Sequence, residues 1–306
     1  MKEKDLISVI KNTLNSNYIG DDCAYLKDLD IVITQDSLVE GVHFSLDFIT
    51  PYQLGYKSVM VNISDISASG AEPKYLTIAL SMPKKVTDKN FVEEFYKGAK
   101  SACPNGVEIV GGDITGADKV FISVCAIGKT QGRNISSRSN AKIGYKVVVK
   151  GEHGTSGAGL KLLLNREKSE NKFTKAHLMP KAQVEFGRQI GESVKEEYAM
   201  MDTSDGLMDA LSTIANNSGV LLDIDFDKVP IDNDIKQFSN WKELVLFGGE
   251  DYGIVAVIPA RYHTDGTVIG TVKEGLGVDL KIDCNSFHYS QKDVEEKIFN
   301  HFTNGD

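Results

Sequence analysis

Apolar residues recur at helical spacing near the start of the chain, at Leu6, Ile7, Ile10 and Leu14, which predicts an amphipathic helix over 5–14. A Gly20-Asp21-Asp22 turn follows, and then the β-branched run at 30–34 predicts a buried strand. Residues 52–69 place Leu54, Val59, Ile63 and Ile66 on helical faces. A strand over 75–81 stops before Pro83, and an amphipathic helix over 91–102 opens behind Thr87-Asp88. Strands follow at 107–110, running into Gly111-Gly112-Asp113, and at 120–128. A stretch rich in Gly, Ser, Asn and basic residues, 129–144, interrupts the pattern. It resumes with a strand at 145–149, a glycine-rich loop at 151–159 and a helix at 160–164. The polar stretch 165–175 reads as an exposed loop. Helices are expected at 183–195 and 207–216, the second behind the acidic turn Asp202-Thr203-Ser204-Asp205-Gly206. Short strands and helices complete the chain, with a Gly-Gly-Glu-Asp turn at 248–251.

Helix and strand alternate in both halves, so the fold class is mixed α/β, of the α+β kind. The chain has 306 residues, long for one hydrophobic core. With the composition shift at 129–144, this predicts two domains, 1–138 and 139–306.

Charge narrows the function. The formal net charge is −9 and no basic stripe occurs, which argues against a nucleic-acid binder. No apolar run reaches membrane-spanning length, and the opening Met1–Leu6 has no signal-peptide character, so a cytoplasmic protein is expected. Cys23, Cys103, Cys125 and Cys284 lie far apart without zinc spacing and read as reduced thiols. An acidic protein that handles phosphates needs divalent cations between the two sets of negative charge.

Aspartate recurs in five places read as one local form, a strand followed by a polar turn. They are Gly20–Asp22, Thr34-Gln35-Asp36-Ser37, Asn62-Ile63-Ser64-Asp65, Gly111–Asp113 and Asp202–Gly206. Each alone is ordinary turn chemistry. Together they supply the hard oxygen ligands that magnesium takes alongside substrate phosphates. Other phosphate signatures are missing: there is no Walker A run and no protein-kinase motif set, and the glycines at 151–159 have the wrong spacing for a dinucleotide loop. That loop stays open between close helix packing and a phosphate-facing turn. No Ser-His-Asp or Cys-His set is apparent, and His43 alone reads as a loop histidine.

Read in order, these stretches resemble thiamine-monophosphate kinases. The resemblance rests on Ile19–Ala24, Gln35–Phe44, Val61–Pro73, Gly111–Asp113, Ser137-Arg138-Ser139, Met201–Leu207 and Phe247–Tyr252, spanning nearly the whole chain. It implies a two-domain fold like that of aminoimidazole ribonucleotide synthetase, with N-terminal domains pairing through a β-barrel in a homodimer. It implies phosphorylation of thiamine phosphate by ATP, giving thiamine diphosphate. Asp22, Thr34, Gln35, Asp36, Asp65, Asp113, Asp202 and Asp205 match magnesium positions, and Gln35, in place of a usual Thr, would act through its backbone carbonyl or side-chain amide. Gly112, Asp113, Arg138 and Ser204 match ATP contacts, with Asn140 replacing a usual Gly behind Arg138. His43, Glu250 and Phe299 match positions that hold thiamine phosphate, the last through Phe299-Asn300-His301-Phe302. No general base is expected, because the acceptor is a phosphate oxygen and Arg138 would stabilise charge. Within the superfamily, the alternatives are an aminoimidazole ribonucleotide synthetase, selenophosphate synthetase, from which the setting of Cys23 departs, and the hydrogenase-maturation relative. That relative ends in a cysteine where this chain ends Asn304-Gly305-Asp306. A non-catalytic ATP-binding protein would need lost ligands, and the matched carboxylates are all present.

Overall fold

The computed structural model describes residues 3–167 and 170–300; His301, Phe302 and 304–306 lie outside the described residues. The first half runs α1 (Glu3–Leu14), β1 (Ala24–Leu26), β2 (Ile31–Val39), α2 (Pro51–Ser69), β3 (Glu72–Met82), α3 (Lys89–Ala102), β4 (Glu108–Gly116) and β5 (Phe121–Lys129). Its strands form one sheet in the order β1-β2-β5-β3-β4, antiparallel except for the β3/β4 pair. Alternate residues of β3 and β5, among them Leu76, Ile78, Leu80, Ile122 and Val124, point to one face and are buried beneath α2 and α3.

Helix α2 forms where the sequence predicts a helix. Thr50 and Gln53 close a capping box at its start, Pro51 occupies the first turn, and Gly70 ends it in the left-handed conformation, φ 85°. It is covered on nearly every side, and its buried positions include Lys57, Ser58, Asn62, Ser64 and Ser67 beside the apolar residues. Gly98 of α3 lets the two helices touch: a Cβ there would meet the Tyr52 carbonyl oxygen at 1.8 Å. On its other side α2 meets the second half, where a Cβ on Gly187 would lie 2.0 Å from the Ser67 carbonyl oxygen.

The second half runs β6 (Tyr145–Lys150), α4 (Thr155–Leu164), α5 (Lys172–Leu178), α6 (Val184–Ser193), β7 (Ala199–Asp202), α7 (Leu207–Ser218), β8 (Leu221–Asp225), α8 (Trp241–Phe247), β9 (Ile254–Pro259), β10 (Thr267–Lys273), β11 (Gly277–Ile282), β12 (Asn285–Tyr289) and α9 (Gln291–Glu295). Its sheet has the order β12-β11-β8-β10-β6-β9-β7, and only β8 and β11 run parallel. An apolar cluster of Ala68, Val148, Phe186, Ile190 and Met200 joins α2 and α6 to this sheet. The segment between the sheets is strapped down rather than free. Arg133 pairs with Glu72 and Glu192, and the Asn134 and Ser136 N–H groups donate to Gly191 and Ser69.

Several local expectations are corrected. Thr34–Ser37 lies inside β2 and Gly111–Asp113 inside β4, so neither is a turn. Asn62–Asp65 lies within α2, whose buried faces and cap decide the local structure over the polar residues. The glycine-rich loop is shorter than read, since α4 begins at Thr155. The polar stretch 165–175 is not all loop, because Asn171 caps α5 and Phe173 is buried.

Candidate active site

Three elements of the first half and one of the second bring acidic residues to the inner end of α2. On β2, Thr34 and Asp36 alternate toward α2: Thr34 Oγ1 donates to Asp65 Oδ2 at 2.6 Å, and the Asp36 N–H donates to Asn62 Oδ1 at 3.0 Å. Gln35 lies between them and faces the other way, its Nε2 donating to Ser123 Oγ at 3.0 Å. The pleat therefore takes the Gln35 side-chain amide away from the acids and leaves only its backbone carbonyl for a ligand role. Asp202, at the end of β7, accepts from Ser64 Oγ at 2.7 Å and from Ser204 Oγ at 2.8 Å. Asp22 arrives from the turn before β1. Carboxylate oxygens of Asp22, Asp65 and Asp202 all lie within 4.8 Å of one another.

Arg138 faces this trio. Its Nη2 lies 2.8 Å from Asp22 Oδ1, its backbone N–H donates to Asp21 Oδ1 at 2.7 Å, and its carbonyl accepts from Ser218 Oγ at the end of α7. The residue is thus held from both halves of the chain, its guanidinium by Asp22 and its backbone by Asp21 and Ser218. Burial opposes its charge, but Asp22 and then Asp202 and Asp65 outweigh burial and raise its pKa.

The carboxylates are held under electrostatic stress. Burial, then Asp22 and Glu3, pushes Asp36 up to about 6. Burial and Asp22 push Asp202 up to about 7, against the hydrogen bonds from Ser64 and Ser204. Asp65 is raised well above the carboxylate range by burial and by Asp36, Asp202 and Asp22. Asp205 is the exposed member of the set; partial desolvation of its carboxyl, then the charges of Asp209 and Glu3, moves it upward too. Clustered acids of this kind suit a cation. Their donors are carboxylate and hydroxyl oxygens, without sulfur or imidazole in the trio, which fits a hard divalent ion such as magnesium.

The other matched residues lie at different places. Gly112 and Asp113 sit on the exposed strand β4, Asp113 opposite Ala79 of β3, and Asp113 is not among the three acids that meet. Gly112 packs where a Cβ would meet the Ile78 carbonyl oxygen at 1.9 Å. His43 is half-buried in the loop after β2, its Nδ1 accepting from the Val39 N–H at 3.0 Å. Phe299, 52% exposed, lies beyond α9, next to Ile298, which packs on the second core.

Glu250 sits in the left-handed region at φ 64°, its N–H donating to the Ser204 carbonyl at 2.6 Å. Its neighbour Asp251 accepts from the Gly154 and Ser156 N–H groups and so caps α4. Glu250 also meets two residues that sequence reasoning missed. Lys57 Nζ lies 3.0 Å from its Oε1, and His177 Nδ1 lies 3.3 Å from its Oε2. Nothing local marks either residue: Lys57 shares α2 with other polar residues such as Gln53, Ser58 and Asn62.

Residues 20–130 match the family model for the AIR synthase related protein, N-terminal domain. Across its whole length the chain is 38% identical to the thiamine-monophosphate kinase of Aquifex aeolicus, covering 98% of each. It is 35% identical to the thiamine-monophosphate kinase of Bacillus subtilis, covering 99% of this chain and 100% of that one. The chain belongs to the thiamine-monophosphate kinase family. It is therefore an enzyme with an aminoimidazole ribonucleotide synthetase-like fold. The solved structure of AaThiL complexed with AMPPCP and TMP superposes with a TM-score of 0.87 at 35% identity, covering 98% of this chain and 97% of that one. The full-length matches take in Arg138, Asp202, Ser204 and Glu250, which lie beyond the family-model segment.

Proposed function

We propose that this enzyme transfers the γ-phosphoryl group of ATP directly to the phosphate of thiamine phosphate, giving ADP and thiamine diphosphate. The observation that carries this reading is the meeting of Asp22, Asp65 and Asp202 beside Arg138, in a chain whose full-length relatives are thiamine-monophosphate kinases. Asp22, Asp36, Asp65, Asp202 and Asp205, with Thr34 and the Gln35 carbonyl, would hold several magnesium ions, which when bound neutralise phosphate charge and orient the transferring group. Arg138 and Ser204 bind and orient the triphosphate, the planar guanidinium matching phosphate oxygens. Gly112 and Asp113 contribute to the ATP side and the Asp113 metal role from β4. His43, Glu250 and Phe299 hold thiamine phosphate, with an aromatic face suiting its cationic thiazolium ring.

No general base is assigned. A phosphate monoester has a second pKa near 6, so the attacking oxygen is already anionic near neutral pH. The residues then serve by alignment for in-line displacement and by charge stabilisation.

The same reading divides the chain near 138/139 and places the enzyme in the cytoplasm. It makes the working form a homodimer paired through the first sheet. Support comes from β4, an edge strand with Val110 and Ile114 exposed. Among the described residues no helix is long and apolar enough to cross a membrane. Incubation with ATP, a magnesium salt and either thiamine phosphate or thiamine tests the proposal: thiamine diphosphate should form only from the phosphorylated acceptor, and its absence would overturn the reading.

A further inference from the structure

Lys57 and His177 take no part in the reaction as proposed, yet both are buried against Glu250. The Lys57 side chain is 1% exposed and that of His177 3%, whereas Glu250 keeps 24% of its side chain open. Only Glu250 of the three can therefore touch a ligand. Lys57 Nζ lies 3.0 Å from one carboxylate oxygen, His177 Nδ1 approaches the other to 3.3 Å, and the Glu250 backbone N–H is held by Ser204. His177 Nδ1 also lies 3.0 Å from Ser156 Oγ. Burial, then Lys57, pushes His177 down to about 4, which disfavours its charged form.

A buried ammonium is costly unless compensated. Lys57 Nζ has no directed hydrogen-bond acceptor among the described residues, so the ion pair with Glu250 is its compensation by distance rather than by a well-aligned hydrogen bond. Lys57 also shares α2 with Ser64 and Asp65, which belong to the carboxylate site. Eight residues separate Lys57 from Asp65, about 12 Å along a helix axis. At its other end Glu250 is tied through Ser204 to Asp202.

We propose that Lys57 is a positioning residue for acceptor specificity: it fixes the Glu250 carboxylate at a set distance from the phosphoryl-transfer centre, with α2 as the spacer. The acceptor so measured carries a phosphate at one end and a polar heteroaromatic ring at the other. With its charge compensated by Lys57, Glu250 recognises that ring chiefly as a fixed hydrogen-bond acceptor. This rests on the reading of Glu250 as an acceptor contact.

The test measures KM for thiamine phosphate, KM for ATP and kcat in the purified full chain for Glu250→Gln, Lys57→Met and the double variant. Each single change should raise the acceptor KM at least roughly tenfold while leaving the ATP KM within about twofold. The double variant should be no worse than Glu250→Gln alone, because Lys57 acts only through Glu250. A Lys57→Met acceptor KM within twofold of wild type, or losses that multiply in the double variant, would overturn the inference while leaving the kinase reading intact. An unchanged acceptor KM in Glu250→Gln would remove the Glu250 reading and this inference together. If Lys57→Met does not fold, Lys57→Gln, which keeps an N–H donor, is measured with the same outcomes. If neither folds but Lys57→Met/Glu250→Met does, Lys57 serves only to neutralise a buried charge and the inference fails.

Discussion

Ser64, in the C-terminal part of α2, donates a 2.7 Å hydrogen bond to Asp202, which lies 138 residues later at the end of β7. One hydroxyl thus joins the two halves of the molecule at the carboxylate site. Ser64→Ala leaves Asp202 with only its Ser204 contacts, a loss of about 1–2 kcal/mol for a buried charged acceptor. The expected outcome is a fold that survives, an activity reduced by roughly tenfold and a higher magnesium requirement, read by titrating magnesium against initial rate. Wild-type magnesium dependence would contradict the role given to this contact.

Asp65→Asn separates metal binding from folding. It replaces a carboxyl whose ionisation burial and the neighbouring acids oppose with an uncharged group of the same shape, so without magnesium the melting temperature should hold or rise. Activity should fall by about 1,000-fold or more, as expected when a metal ligand at the reacting phosphate is lost. Near-wild-type turnover in this variant would remove Asp65 from the metal site.

The same stress fixes a pH dependence. Asp202 sits at about 7 and Asp36 at about 6, above the roughly 3.9 of an unfolded Asp. Between those values the folded state binds more protons than the unfolded one, so these groups lower stability as pH rises from about 4 to 7. Magnesium takes the deprotonated forms and reverses the penalty. The increase in melting temperature on adding magnesium should therefore be larger at pH 8 than at pH 6, measured by differential scanning fluorimetry. An equal increase at both would mean that these acids do not bind the ion.

Gly55 tests the scaffold rather than the chemistry. A Cβ at this position of α2 would lie 1.9 Å from the Phe95 carbonyl oxygen, which is backbone and cannot swing away. Gly55→Ala should destabilise the protein by about 3 kcal/mol, the upper end for overpacking, despite the better helix propensity of Ala. A chemical-denaturation midpoint close to wild type would show that α2 and α3 can separate freely.

The sequence carried the identity of these residues better than their setting. The aspartates form an ordered series, and α2 was legible from its apolar spacing. Yet Thr34–Ser37 and Asn62–Asp65 resemble turns only because polar residues normally leave strands and helices. Here tertiary contacts keep them in place: Asn62 accepts from the Asp36 N–H, and Thr34 donates to Asp65. Gln35 could not be assigned a direction until the register of β2 with β5 placed it opposite Cys125, its amide turned to Ser123. Lys57 reads locally as an exposed helical lysine. Its partner Glu250 lies 193 positions further along, so no local pattern could join the pair.

The account is tested most directly by counting both products in one tube. The enzyme is mixed with ATP, magnesium and thiamine phosphate, and ADP and thiamine diphosphate are quantified together over time, with a chelator-treated control. The expected result is one thiamine diphosphate for each ADP, abolished by the chelator. ADP formed without thiamine diphosphate, or product formation that survives removal of divalent ions, would contradict it.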